Sequence, residues 1–214
     1  ALPYFPTTTR FNLARVDYKD NVNGSLLLEP QRTNYIPYSE DYTNAAWAKN
    51  GVSLTANNTT SPDGTQNADK LISNDPSGSV YRIYEAGAIP SNSVCCVSVY
   101  FKYDNWQYAF IVADNYSAVS KYVVFDLING TNTFVSSGYT ATISSVGNGW
   151  YRCTMTGEMG ITAYCQFGLA PTSTAYGNIS IANGKNLYVW ATQREVSSYP
   201  TSYIKSEGAA TTRL

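Results

Sequence analysis

Short runs of alternating apolar and polar residues, each cut off by a cluster of Gly, Asn, Asp or Ser, run through most of the chain. This pattern restricts it to β-structure. A period of two places one side of a strand in a core and the other outside it. The predicted strands are Gly24–Glu29, Val52–Ala56, Asp69–Ser73, Ser79–Tyr84, Ser93–Tyr103, Tyr108–Ala113, Lys121–Asp126, Thr133–Tyr139, Ala141–Val146, Trp150–Gly157, Ala163–Ala170 and Lys185–Glu195. Turns are marked by Pro62-Asp-Gly-Thr65, Asn129-Gly130, Gly147-Asn-Gly149 and Asn183-Gly184. The only helical signal is Ser39–Lys49, with Ser39 or Asp41 as its N-cap. The expected fold is all-β: a jelly-roll β-sandwich of two antiparallel sheets over residues 24–207. An extended N-terminal segment (1–23) and a C-terminal extension (208–214) flank it.

Composition then removes whole classes of chemistry. The chain has 214 residues, 14 Lys+Arg against 15 Asp+Glu, and no His. The near-neutral balance argues against nucleic acid bound along a basic stripe. Without His there is no Ser-His-Asp or Cys-His nucleophile, no His-ligated zinc and no histidine pH switch. Charged residues are 14% of the chain, where about 25% is usual, and aromatics match them at 14%, with 19 Tyr. No stretch approaches the roughly 18 apolar residues of a membrane span, so membrane insertion is not expected. Ala1-Leu-Pro-Tyr-Phe-Pro6 lacks the basic start and apolar run of a signal peptide.

The four cysteines are Cys95, Cys96, Cys153 and Cys165. Cys95 and Cys96 are adjacent in a strand and point to opposite faces. Cys153 and Cys165 flank an expected hairpin turn at Gly157-Glu-Met-Gly160, which leaves a Cys153–Cys165 bridge as the alternative to four buried thiols. No cofactor is expected apart from Ca2+. Oxygen-rich groups that would suit it occur at Asp17, Asp20, Asn21 and Asn23 and at Asp63 and Asp69, with solvated turns as the other reading.

Leu26-Leu-Leu-Glu-Pro-Gln-Arg-Thr-Asn34, Tyr38-Ser-Glu-Asp41, Ala46-Trp47, Pro62-Asp-Gly-Thr65 and Ala68-Asp-Lys70 occur in order. They are followed by Val97-Ser-Val-Tyr-Phe-Lys102, Phe125-Asp126, Val146-Gly-Asn-Gly-Trp-Tyr-Arg-Cys153, Tyr188-Val-Trp-Ala-Thr-Gln193 and Tyr199-Pro-Thr-Ser-Tyr-Ile204. This series resembles the carbohydrate-binding-like jelly-roll modules of phage tail fibres, tail spikes and other virion structural proteins. The resemblance covers about residues 24–214. It implies a virion location, adhesion to host surface glycan, contact with other virion proteins and a homo-oligomer, by analogy a trimer. It implies no catalytic residues. The chain departs from the pattern at Arg194, where an apolar residue often sits, and at Lys205, where a Pro commonly follows the Ile.

Sugar rings are bound by flat apolar faces with a few fixed polar groups around them. The densest stretch of such residues is Tyr100-Phe-Lys-Tyr-Asp-Asn-Trp-Gln-Tyr108. Within it Trp106, Tyr108 and Tyr103 are stacking candidates, and Asn105 and Gln107 candidate hydroxyl ligands. Asn115-Tyr116 and Tyr122 would extend the surface through the next strand. Trp150, Trp190 and Trp47 read as structural. Two polar clusters, Glu29, Arg32 and Asn34 near the start and Gln193, Arg194 and Glu195 near the end, would meet if the terminal strands pair. An Arg–carboxylate contact there would pin the ends. A glycosidase needs two carboxylates roughly 5–10 Å apart in a cleft, and the sequence singles out no such pair. The leading expectation is a non-catalytic adhesin whose affinity varies little with salt or mild pH change. The competing one is a structural head fibre, decoration protein or tail adaptor, and a polysaccharide-degrading enzyme ranks below both.

Overall fold

The computed structural model describes residues 16–17, 25–26, 29–114, 120–161 and 164–213. Tyr116, Asn115 and the oxygen-rich run from Asp20 to Asn23 lie outside them. The strands are β1 (Val16–Asp17), β2 (Ser25–Leu26), β3 (Arg32–Asn34), β4 (Trp47–Asn50), β5 (Val52–Thr59), β6 (Ala68–Ser73), β7 (Tyr81–Glu85) and β8 (Ser93–Tyr103). They continue with β9 (Tyr108–Asp114), β10 (Ser120–Asp126), β11 (Thr131–Val135), β12 (Thr140–Gly147), β13 (Trp150–Met159), β14 (Cys165–Leu169), β15 (Asn186–Glu195) and β16 (Thr211–Arg213). Two six-stranded sheets dominate, in the orders β11-β10-β9-β14-β7-β4 and β12-β13-β8-β15-β6-β5. The chain crosses between the sheets at β4–β5, β6–β7, β7–β8, β8–β9, β11–β12, β13–β14 and β14–β15, which makes the sandwich a jelly roll. Among the described residues there is no helix, and hence none long and apolar enough to cross a membrane.

Alternation explains the layers. On β8, Cys95, Val97, Val99 and Phe101 face the core between the sheets and join Ile83, Ile111, Phe125, Met155, Phe167 and Val189. The opposite face of the same sheet carries a second, smaller core of Tyr100, Trp150, Trp190 and Tyr203. Tyr100 and Trp190 pack edge-on, with ring centroids 5.1 Å apart. The outer face of the other sheet holds a third cluster, Phe110, Val112 and Val124, flanked by Tyr108, Tyr122, Phe134 and Tyr176. Much of the aromatic content is thus spent on three packed layers rather than one. The β12–β13 hairpin closes through Gly147-Asn148-Gly149, all three in the left-handed region (φ 92, 53 and 78°), which explains two glycines and an asparagine there.

Two expectations fail. Ser39–Lys49 is not helical. The side chains of Asp41 and Asn44 instead accept hydrogen bonds from the backbone N–H two residues on, at Thr43 and Ala46, and these local turns compete with a helix before β4 begins. The expected hairpin at Gly157–Gly160 is also absent. β13 runs on to Met159, and the chain then crosses to the opposite sheet, where Cys165 pairs with Ala113 and Glu85. Cys153 lies opposite Val99. All four cysteines are free and buried, so the Cys153–Cys165 bridge does not form. Burial pushes every thiol up, Cys95 to about 11 and Cys96 and Cys165 to about 12, which keeps them protonated at neutral pH.

One ion pair lies inside the sandwich. Arg194 on β15 opposes Val97 and so points into the core, where its guanidinium meets Glu85 of β7 in the other sheet at 3.8 Å. Arg194 is 1% exposed and Glu85 5%. Burial raises the Glu85 carboxyl above its ordinary range, and Arg194 opposes that rise. Asp69 on β6 is also buried, with the Asn57 N–H donating to its carboxylate at 2.8 Å. Burial again dominates and lifts its pKa from 3.8 to about 6.

Breaking the internal pair strands a charge. Arg194→Leu is expected to cost about 3–5 kcal/mol, and Glu85→Leu combined with Arg194→Leu less than Arg194→Leu alone, as read from denaturant midpoints. Asp69 has a raised folded-state pKa. Its contribution is therefore favourable below pH 4 and is lost as pH rises toward 6 and above. Asp69→Asn keeps the acceptor for Asn57 and should flatten that decline, with a gain on the order of 2 kcal/mol at pH 8 relative to the parent. Unfolding curves measured from about pH 3.5 to about pH 8, a range that brackets the two pKa values, would contradict this if stability changed with pH identically in the two proteins.

Candidate functional site

An open pocket of ≈ 250 Å³ lies at one end of the sandwich, lined by Tyr103, Asn105, Trp106, Gln107, Tyr108, Ile128, Pro171 and Lys185. Five of these come from the stretch 103–108, the β8–β9 connection with its two flanking residues, which the sequence singled out. Neighbouring turns hold that connection in place. The backbone N–H groups of Asn105 and Trp106 both donate to Asn186 O, at 3.3 and 3.0 Å. Asn105 Nδ2 donates to Gly184 O (3.1 Å), and Asn105 Oδ1 accepts from Asn186 N (2.7 Å). The Asn105 amide therefore fastens the loop to the β14–β15 connection, with one N–H and one lone pair left for a ligand.

Trp106 is half-buried against the main core, and its Nε1–H donates to Ala170 O at 2.8 Å. That bond uses the only polar atom of the indole and fixes the ring. What the residue can still offer is an apolar surface. Gln107 Nε2 donates to Asp126 Oδ2 at 2.9 Å, while Asp126 Oδ1 accepts from the N–H groups of Ile128 and Asn129. Burial pushes the Asp126 carboxyl up, but its bonds from Asn129, Ile128 and Gln107 outweigh that and hold it below its ordinary value. It stays ionised at neutral pH and organises the β10–β11 turn, which carries Ile128 to the pocket rim. Tyr103 and Ile128 are exposed, at 41% and 53%. The wall of the pocket is thus rigid, and its rim is open and partly apolar.

Tyr122 does not join this pocket. It stacks on Phe134 (4.5 Å, 16° between planes), tilts against Tyr176 at 4.7 Å, and donates its hydroxyl to Thr174 O at 3.1 Å. It belongs to the outer-face cluster, which Tyr108 touches from the pocket side. Tyr116 lies outside the described residues. Ile128, Pro171 and Lys185 are pocket residues that sequence reasoning missed. The Asn129-Gly130 and Asn183-Gly184 turn signals sit beside two of them. Nothing local, however, says that these turns converge on residue 106.

The two terminal polar clusters come together at the other end of β15. Asn34 is fully buried and makes four hydrogen bonds. Nδ2 donates to Thr192 O (3.2 Å) and Ile204 O (2.9 Å), and Oδ1 accepts from Ile36 N (3.1 Å) and Arg194 N (3.0 Å). Glu195 accepts from Gln193 Nε2 (2.8 Å), Thr201 N (2.8 Å) and Thr201 Oγ1 (2.7 Å), with Arg32 Nε 4.0 Å away. Gln193 Oε1 accepts from Ile204 N at 2.7 Å. Glu29 accepts from Ser202 N at 2.8 Å and meets Arg213 at 3.1 Å, which ties β16 to the start of the chain. Every one of these carboxylates is occupied by backbone or side-chain donors, so the cluster has the character of a clasp. Among the described residues no group of three or more Cys, Asp or Glu is placed to hold a metal ion.

No protein-family model matches the chain, and no curated protein matches it. One solved structure, of TmCBM61 in complex with β-1,4-galactotriose, overlays with a TM-score of 0.37 at 10% identity, across 75% of this chain and 97% of that one. A likeness that distant says nothing about a ligand of this chain.

Asn34 satisfies four backbone groups at once, so its loss leaves several buried polar groups unpaired. Asn34→Leu is expected to cost more than about 3 kcal/mol, measured by chemical denaturation, and a cost below about 1 kcal/mol would remove the clasp from the account.

Proposed function

We propose that the chain is a non-catalytic carbohydrate-binding module and that the pocket beside Trp106 is where it holds a sugar. The supporting observation is the convergence of Tyr103, Trp106 and Tyr108 with the amides of Asn105 and Gln107 around one open pocket. At ≈ 250 Å³ the pocket falls below the about 300–1,000 Å³ of sites for drug-sized ligands. That suits one ring or one chain end rather than a long polysaccharide. A single shallow site binds weakly, and repeated copies on one particle would supply avidity without new contacts. The resemblance carried by the motifs from Leu26 to Ile204 supplies the setting: a virion appendage, as a homotrimer beside other virion proteins, acting on host surface glycan. The carboxylates of Glu29 and Glu195 serve the clasp, which is why the proposal assigns no hydrolytic role to them.

Titration of the labelled protein with host surface oligosaccharides, followed by amide and indole resonances, tests the pocket. The Trp106 Nε1–H signal and the amides of residues 103–108 should shift together. Tyr103→Ala, at the exposed rim, should weaken binding by about three- to fivefold without altering the fold. Shifts confined to the outer-face cluster around Tyr122, with the Trp106 signal unmoved, would place the function elsewhere and favour a structural interface.

A further inference from the structure

The pocket lining contains one charged side chain, Lys185, and no carboxylate. Asp104 and Asp126, which neighbour lining residues in the chain, are already engaged. Asp104 pairs with Lys70 at 2.9 Å. Asp126 receives Gln107, Asn129 and two backbone N–H groups. Among the described residues no carboxylate pairs with Lys185. Its backbone is nevertheless fixed. Lys185 N donates to Ser73 Oγ (3.0 Å), and Ser73 N donates to Lys185 O (2.8 Å). Lys185 is therefore a half-buried lining residue whose backbone is anchored.

The remaining polar atoms point the same way. The Trp106 indole N–H is spent on Ala170, and one of the two Gln107 Nε2 N–H bonds on Asp126. The unspent donors are the hydroxyls of Tyr103 and Tyr108, one N–H each of Asn105 and Gln107, and the three N–H bonds of Lys185. An ammonium donates and cannot accept. A neutral hydroxyl offers a donor as well as an acceptor, whereas a carboxylate is acceptor-only and carries the opposite charge.

We propose that the sugar held in this pocket is acidic, with its carboxylate against Lys185 and its ring against Trp106. This rests on the carbohydrate reading of the pocket and narrows its substrate class. It also reverses, for this one contact, the salt insensitivity expected from the low overall charge. An exposed ion pair is worth up to about 1 kcal/mol, so the preference should be about fivefold at low ionic strength.

The test compares short oligogalacturonate, its fully methyl-esterified form, a neutral oligogalactan and a sulfated oligogalactan of equal length. Each is titrated into the whole chain and read from the Trp106 indole and residue 103–108 resonances. The free acid is expected to bind about fivefold more tightly than its ester. The advantage should vanish at about 1 M salt, where the screening length is about 3 Å. Lys185→Gln should bring the free acid down to the affinity of its ester, and Lys185→Arg should keep the preference. Equal affinity for acid and ester, or a preference that survives Lys185→Gln, overturns the acidic-sugar assignment and leaves carbohydrate binding standing. Tighter binding of the sulfated chain than of the uronate overturns the carboxylate in favour of a sulfate ester. No movement of the Trp106 signal with any of these chains overturns the acidic-sugar assignment. If neutral host oligosaccharides also leave the signal still, the carbohydrate reading falls with it.

Discussion

The jelly roll is held closed at β15, where the side chain of Asn34 bonds both the strand and the segment at Ile204. β15 pairs with β6 only as far as Val189, and its register against β8 shifts between Trp190 and Gln193, with Ala191 in the left-handed region. A bulge of that kind leaves backbone groups without ladder partners, and in a buried strand each costs about 1–3 kcal/mol if left unpaired. The segment after β3 takes the place that β6 vacates. Asn34 bonds Thr192 O and Arg194 N, Thr192 N donates to Ser39 O, and Tyr35 N donates to Arg194 O. Ile204 and Ser206 then bond back to the same segment, through Asn34 and Ser39. The start and the end of the domain are thereby both hung on one irregular strand.

That arrangement also explains an arginine where an apolar residue would be easier to bury. The register shift sets Arg194 facing the core, and Glu85 on the opposite sheet meets it there. The pair joins the two sheets directly. A buried ion pair is weak evidence for stability, because desolvation offsets its Coulomb energy. What it contributes is intolerance of any register that would separate the two groups. At the far end of the sandwich, the pocket follows the same logic of anchoring. Trp106, Asn105 and Gln107 each spend a hydrogen bond on the scaffold, and the surfaces left over are the ones a ligand would meet.

The strands were readable because alternation is local. β8 runs from Ser93 to Tyr103 as its pattern implies, and β10, β13 and β15 lie within two residues of expectation. The pattern is weak where a few polar residues pair with a distant partner. β3, β4 and β16 were missed for that reason, since Arg32–Asn34 is strand only because Thr211–Arg213 lies beside it. The cysteine hairpin failed because a Gly-Glu-Met-Gly stretch reads the same whether the chain doubles back or crosses to another sheet. Of the candidate site, the cluster at 103–108 was visible as a density of aromatics. Lys185, Ile128 and Pro171 were not, because their relation to it is set by where three loops end.

By itself the sequence determined the class of fold and the chemistry open to it. Period-two alternation requires two-faced strands, and the absence of His with so few charges leaves aromatic faces and neutral donors as the main binding groups. Only the tertiary structure decided which aromatics are left over. Tyr100, Trp150 and Trp190 are consumed by an outer core, Tyr122 by a stack on the other sheet, and Trp106 alone among the tryptophans borders the pocket. The physical reason is that alternation assigns a side chain to a face of its strand. Whether that face meets another layer of protein or water depends on segments far away in the chain.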